Sequence, residues 1–281
     1  MRDILIQEIF NSTNSDNPFG YLEDKFINIP RQDLIDNIIQ FGVLPEAFDH
    51  DSSEEKNWAK LSDIILASAL NKMNCSADVL RTRGDSADVF GKSKSFSFVA
   101  DAKTFRLSRT AKNQKDFKVK ALSDWKKTNS FAFLVGPLSQ YLTTNSQIYG
   151  QAIEHNITFL SYSHLKLFLD YGVDVEQLLP LFESPKNMQK SNDAKKYWQT
   201  IHAISCDITG VSYSDWEKYK QLEIDINREL GNEGVKYWET KIQEVKNLSR
   251  EEAVIRVLKS EKLESKIVTI KKVINQKEIL I

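Results

Sequence analysis

The stretch that decides the fold is Ser95-Phe96-Ser97-Phe98-Val99-Ala100-Asp101-Ala102-Lys103-Thr104. Phe96, Phe98 and Ala100 recur at every second position, the period of a β-strand with one face buried. Side chains of a strand alternate faces, so Asp101 and Lys103 point the same way. A second, shorter strand is read over Ala87–Phe90. It carries Asp88, thirteen residues upstream of Asp101, a comfortable length for an antiparallel return. That folding brings two carboxylates and one ammonium to one end of a sheet. Hard oxygen ligands from Asp88, Asp101 and the backbone carbonyl of Ala102 suit Mg²⁺, and Lys103 is placed to polarise an attacking water and offset developing negative charge. The trio fits metal-assisted phosphodiester hydrolysis. Its bare spacing also describes a surface salt bridge at a strand end, and only the setting favours chemistry.

That setting is basic. Between Asp101 and Lys127 nine Lys and Arg stand against three Asp, in a chain whose formal net charge is −1. Such asymmetry fits a polyanion-binding face. Ser108 or Thr110 can cap a helix running to about Lys127. At 100° per residue, Phe117, Ala121, Leu122 and Trp125 cover one face. Asn113, Asp116, Lys120 and Lys127 fall on a narrow arc opposite. Asn, Asp and Lys are the side-chain types that read adenine, cytosine and guanine edges in a major groove. Arg106, Arg109, Lys112, Lys115 and Lys118 surround them and suit phosphates. A solvated amphipathic helix is the bland alternative.

Further out, Gln32–Phe41 reads as a helix closed by Gly42 and Pro45. Asp51-Ser52-Ser53-Glu54-Glu55 is a helix start, with a buried face at Trp58, Leu61, Ile64, Ile65 and Leu66 that runs to about Met73. Arg83-Gly84-Asp85 is a turn. Ser130–Val135 is a buried strand, Ser146–His155 a helix, Ile157–Leu160 a strand and Ser163–Tyr171 a helix. Beyond Gly172 the strand signals stop; Tyr197–Ile204, Ser214–Leu230, Val235–Asn247, Arg250–Lys259 and Ser265–Ile274 read as helices. The pattern predicts a helical N-terminal arm over 1–50, a catalytic and DNA-recognition core over 51–172, and a C-terminal helical region over 173–281 for dimerisation and clamping. Cys75 and Cys206 lack the spacing of a zinc site or disulfide framework. His155-Asn156 lacks the flanking ligands of a His-Asn-His nuclease. No leader segment and no apolar run of membrane-spanning length is read, which predicts a cytoplasmic protein with no membrane partner.

The run Val99-Ala100-Asp101-Ala102-Lys103-Thr104-Phe105-Arg106-Leu107-Ser108-Arg109-Thr110-Ala111-Lys112-Asn113-Gln114-Lys115-Asp116-Phe117-Lys118-Val119-Lys120-Ala121-Leu122-Ser123 resembles the HindIII-type type II restriction endonucleases of the PD-(D/E)XK nuclease superfamily. Leu44-Pro45-Glu46-Ala47, Ala87-Asp88-Val89, Thr143–Ile148 and Arg250-Glu251-Glu252-Ala253 are similar too. The resemblance implies an α/β fold: a restriction-endonuclease-like core with a mixed central sheet of about five strands flanked by helices, plus helical arms. It implies a homodimer that cuts double-stranded DNA at the palindrome AAGCTT with Mg²⁺, beside a cognate DNA methyltransferase. It carries Asp88, Asp101 and Lys103 onto the catalytic positions, and Asn113 and Asp116 onto base-reading ones. Two departures stand out. Ala87 replaces the Pro of the signature, and Arg81 stands where an acid is expected, so Glu55 on the preceding helix becomes the candidate third carboxylate. The rival expectations are a nuclease of the same superfamily that reads DNA structure, and a DNA-binding protein without catalysis.

Overall fold

Five strands form one sheet whose spatial order is the order of the chain: β1 (Ser76–Val79), β2 (Val89–Lys92), β3 (Ser97–Ala102), β4 (Phe131–Gly136) and β5 (Ile157–Ser161). In the computed structural model, which describes residues 2–80, 87–109, 114–260, 266–268 and 271, β1, β2 and β3 are antiparallel. The pairs β3/β4 and β4/β5 are parallel. The sheet is therefore mixed, as the family resemblance implies. A four-residue link joins β2 to β3, and helical crossovers join the parallel strands. Strand β1 is an addition. Its four residues alternate exposed and buried, too short a run to stand out in the sequence.

The helices are α1 (Arg2–Thr13), α2 (Pro18–Phe26), α3 (Arg31–Asn37), α4 (Ser53–Asn71), α5 (Val119–Lys126), α6 (Gln147–His155), α7 (Tyr162–Asp170), α8 (Leu179–Asn187), α9 (Ala194–Thr209), α10 (Tyr213–Lys246) and α11 (Arg250–Ser260). Helix α4 starts where the sequence places it. The Ser52 hydroxyl accepts from the Glu55 amide at 3.1 Å, and Glu54 and Glu55 sit in the positive first turn. It lies against β1, β2 and β3, with α1 and α2 behind it. Phe182 of α8 stacks on Phe133 of β4 at 5.1 Å and meets Phe98 of β3 at 5.8 Å. Phe98 thus points to α8 while Asp101, three residues on, points to α4, which leaves helices on both sides of the sheet.

Two expectations need correction. The single helix expected through residues 110–127 is a 3₁₀ turn over Gln114–Phe117, a left-handed Lys118 (φ 44°, ψ 40°) and then α5. Phe117 and Val119 are both buried, and Phe117 stacks on Tyr141 at 4.9 Å. A continuous helix would turn residues two apart to nearly opposite faces; the break sends both inward. The helical wheel therefore does not carry from Asp116 to Lys120.

The second correction concerns α10, which runs unbroken through Gly231 and Gly234, where the sequence reads two helices. Each helical glycine carries a penalty of about 1 kcal/mol. At Gly234 a Cβ would lie a tight 3.1 Å from Glu46 Cγ, whereas one on Gly231 would make ordinary contact with Leu107 Cδ1 at 3.8 Å, so steric demand explains only the first. Buried Glu223 fastens the same helix, accepting from the Ser139 amide at 3.0 Å and the Ser163 hydroxyl at 2.6 Å.

The chain divides into two compact units, Met1–Gly234 and Val235–Ile281. The first holds the sheet and its core. The second leaves Val235, Trp238, Ile242 and Val245 exposed on the end of α10, and Val254, Ile255, Val257 and Leu258 exposed on α11. The Arg83-Gly84-Asp85 turn and most of the helix expected over 265–274 lie outside the described residues. No helix among those described is long and apolar enough to cross a membrane.

Candidate active site

Register brings the first two acids together. Val89 of β2 pairs with Ala100 of β3, so one step further along the antiparallel ladder Asp88 faces Asp101. A third carboxylate arrives from α4: oxygens of Asp63, Asp88 and Asp101 all lie within 4.8 Å of one another. The Asp63 carboxylate also accepts from the Ala102 amide at 3.4 Å, which ties the helix to the strand between Asp101 and Lys103. The sequence offers Glu55 as the candidate for this role. The structure instead places Glu55 eight residues, about two turns, earlier on α4, where its carboxylate accepts from the Asp51 amide at 2.7 Å and from Arg106 at 3.2 Å. Asp63 does carry a sequence signal: an acid flanked by Leu61, Ile64, Ile65 and Leu66 on the buried face of a helix needs a reason to be there.

Two lysines balance the acids. Lys103 Nζ lies 2.5 Å from Asp101 Oδ2. Lys60, which no sequence motif singles out, donates to Asp88 and lies 3.4 Å from Asp63 Oδ2. The remaining imbalance appears as proton affinity. Burial holds the Asp63 carboxyl well above the usual carboxylate range, with Asp88 and Asp101 pushing the same way and Lys60 and Lys103 opposing. Burial also raises Asp101, against the pull of Lys103. For Lys60, burial favours the neutral amine, but Asp63 and Asp88 outweigh it and its pKa rises. Three carboxylates so close cannot all stay ionised without cations. The donor set is oxygen alone, the chemistry of a hard divalent ion.

The sequence profile of the HindIII restriction endonuclease family matches residues 11–274. The type II restriction enzyme HindIII of Haemophilus influenzae (strain ATCC 51907 / DSM 11121 / KW20 / Rd) is 36% identical over 273 residues, 94% of this chain and 89% of that protein. The chain belongs to the HindIII restriction endonuclease family. It is thereby a type II restriction endonuclease, a hydrolase of DNA phosphodiester bonds. In this family member the carboxylates converge where α4, β2 and β3 meet, and the basic segment begins immediately after β3.

That segment is more internally tied than its charge suggests. Arg106 donates to the Phe48 carbonyl at 2.5 Å, the Asp49 carbonyl at 3.2 Å and Glu55, bracing the loop that leads into α4. Arg109 pairs with Asp116 and lies 4.4 Å over the Phe105 ring. Lys115, Lys118 and Lys120 belong to the turn and the start of α5. Lys112 and Asn113 lie outside the described residues.

Proposed function

We propose that this endonuclease cuts both strands of DNA at a short palindrome, AAGCTT, as a Mg²⁺-dependent homodimer in the cytoplasm, paired with a methyltransferase that protects the same site. The observation that carries the chemistry is the convergence of Asp63, Asp88 and Asp101 beside Lys103 at the end of β3. Asp63, Asp88, Asp101 and the Ala102 carbonyl would hold the ion, with Asp63 taking the place first sought in Glu55. When bound, a divalent ion there activates water and offsets charge on the scissile phosphate. Lys103, on the same strand face as Asp101, is in position to donate to a phosphate oxygen or to the attacking water. Asp101 in turn holds the Lys103 ammonium in place.

For sequence reading, the proposal assigns base edges to Asn113 and Asp116 and phosphates to Arg109, Lys112, Lys115, Lys118 and Lys120. Arg106, held by the Phe48 and Asp49 carbonyls and the Glu55 carboxylate, acts as a brace. A palindrome calls for a two-fold assembly in which each copy reads one half-site. The apolar residues of the second unit support that assembly: Val235, Trp238, Ile242 and Val245 recur at intervals of three and four, the spacing of a helix seam.

One digest tests the reading. The protein is incubated with a fully sequenced phage DNA and Mg²⁺, and the ends are mapped. Discrete ends at AAGCTT are expected. Ends at another palindrome overturn the site, scattered ends favour a structure-reading nuclease, and intact DNA favours a binder without catalysis. Asp101→Asn and Lys103→Ala should each abolish cleavage while leaving site-specific binding in Ca²⁺ intact. A variant that cuts within about tenfold of the parent removes that residue from the active site.

A further inference from the structure

Lys60 stands between two of the three acids. It lies one turn before Asp63 on α4, donates to Asp88 and approaches Asp63 Oδ2 to 3.4 Å. Lys103 differs in two respects. It pairs with Asp101 from two residues along the same strand, and its side chain is 18% exposed against 40% for Lys60. Lys60 therefore bridges the carboxylates that a divalent ion would share, yet it has open solvent into which it can withdraw. A compact ammonium on a flexible four-carbon stem suits that exchange.

We propose that Lys60 is the built-in counter-cation of the metal site: it holds Asp63 and Asp88 together before a divalent ion arrives and is displaced when one binds. The proposal rests on reading the three acids as metal ligands. Without some cation between them, buried Asp63 and half-buried Asp88 repel when both are ionised, which loosens the contact between α4 and the start of β2. With Lys60 in place the cluster stays assembled, but an incoming ion must break the lysine's pairs. Metal affinity is lowered accordingly, while the geometry is kept ready. No covalent step is involved, only the exchange of one cation for another.

The test is Mn²⁺ binding to the full chain by titration calorimetry without DNA, alongside thermal melts in chelator and in saturating Mn²⁺. Lys60→Met keeps the stem and removes the charge; it should bind Mn²⁺ about three- to tenfold more tightly than the parent. It should also melt lower in chelator and gain more from Mn²⁺. Lys60→Arg keeps the charge and should bind no more tightly than the parent, which separates charge from disturbed packing. Lys56→Met removes the same charge one turn earlier, at an exposed position, and should change affinity less than about twofold. Unchanged or weaker binding by Lys60→Met overturns the proposal, and so does equal tightening by Lys56→Met. Asp101→Asn distinguishes the other failure. If it binds Mn²⁺ as the parent does, the metal-site reading falls and the proposal falls with it. If it loses binding while Lys60→Met is unchanged, only the role of Lys60 is lost.

Discussion

Asp63 and Glu55 lie on one helix, eight residues apart, and meet opposite fates. Asp63 is nearly sealed from solvent beside two other acids, while Glu55 pairs with an arginine at the rim. Their substitutions should separate cleanly. Asp63→Asn should cut cleavage by at least about tenfold, as loss of a metal-site oxygen does. Glu55→Gln should cost about 0.5–1 kcal/mol of stability through the Arg106 pair and little activity at saturating metal. Kinetics on the two variants in one buffer series would check this; equal losses would put Glu55 back in the site. The raised Asp63 carboxyl also sets a pH dependence. A carboxyl whose folded pKa exceeds its ordinary value of 3.8 binds more protons in the folded state, so stability is lost as pH rises from there through the folded value. In chelator, the stability advantage of Asp63→Asn over the parent should therefore grow with pH across that window. Urea titrations at several pH values would measure it, and an advantage that shrinks with pH would contradict the burial argument.

At the scale of elements, the strands that carry chemistry were legible because their signals are local. Alternation at Phe96–Ala100 gives β3, and the distance back to Asp88 gives its antiparallel neighbour. Strand β1 was not legible, because four residues, although they alternate, are too short a run to stand out. The break at Lys118 was not legible either. It is imposed by the burial of both Phe117 and Val119, a tertiary demand that outweighs the helical pattern around it. Glycine tolerates φ > 0 without the clash a Cβ brings, so Lys118→Gly should stabilise the fold by roughly 0.5–1 kcal/mol. The same change should weaken specific and non-specific DNA alike and reduce the salt dependence by about one counterion. Opposite signs in one variant make a sharp test; destabilisation would mean that the backbone at 118 is held by something other than steric compromise. Asp116→Ala should behave differently. It should cost about 1–3 kcal/mol at the specific site while leaving non-specific binding equal or slightly stronger, since a negative charge has gone. An unchanged ratio of the two would make this turn a polyanion surface only.

For the whole molecule, the exposed Val235, Trp238, Ile242 and Val245 form an apolar stripe of a kind monomeric proteins rarely leave open. Sedimentation should find a dimer at micromolar concentration, and Trp238→Glu should raise its dissociation constant by about tenfold or more. A monomer with and without DNA would place pairing elsewhere or remove it. The sheet has a different consequence, for how the chain is made. Because every strand lies beside its neighbour in sequence, the ladder can grow in the order of translation, with no strand waiting to be threaded between two others. All five strands, and all the acids and lysines of the site, have been synthesised once residue 161 leaves the ribosome. The apolar stripe begins only at Val235. At ~5–20 residues per second that interval lasts roughly 4–15 s. The acidic cluster and its lysines are thus synthesised several seconds before the apolar stripe, so the sheet can close around them before the stripe is exposed.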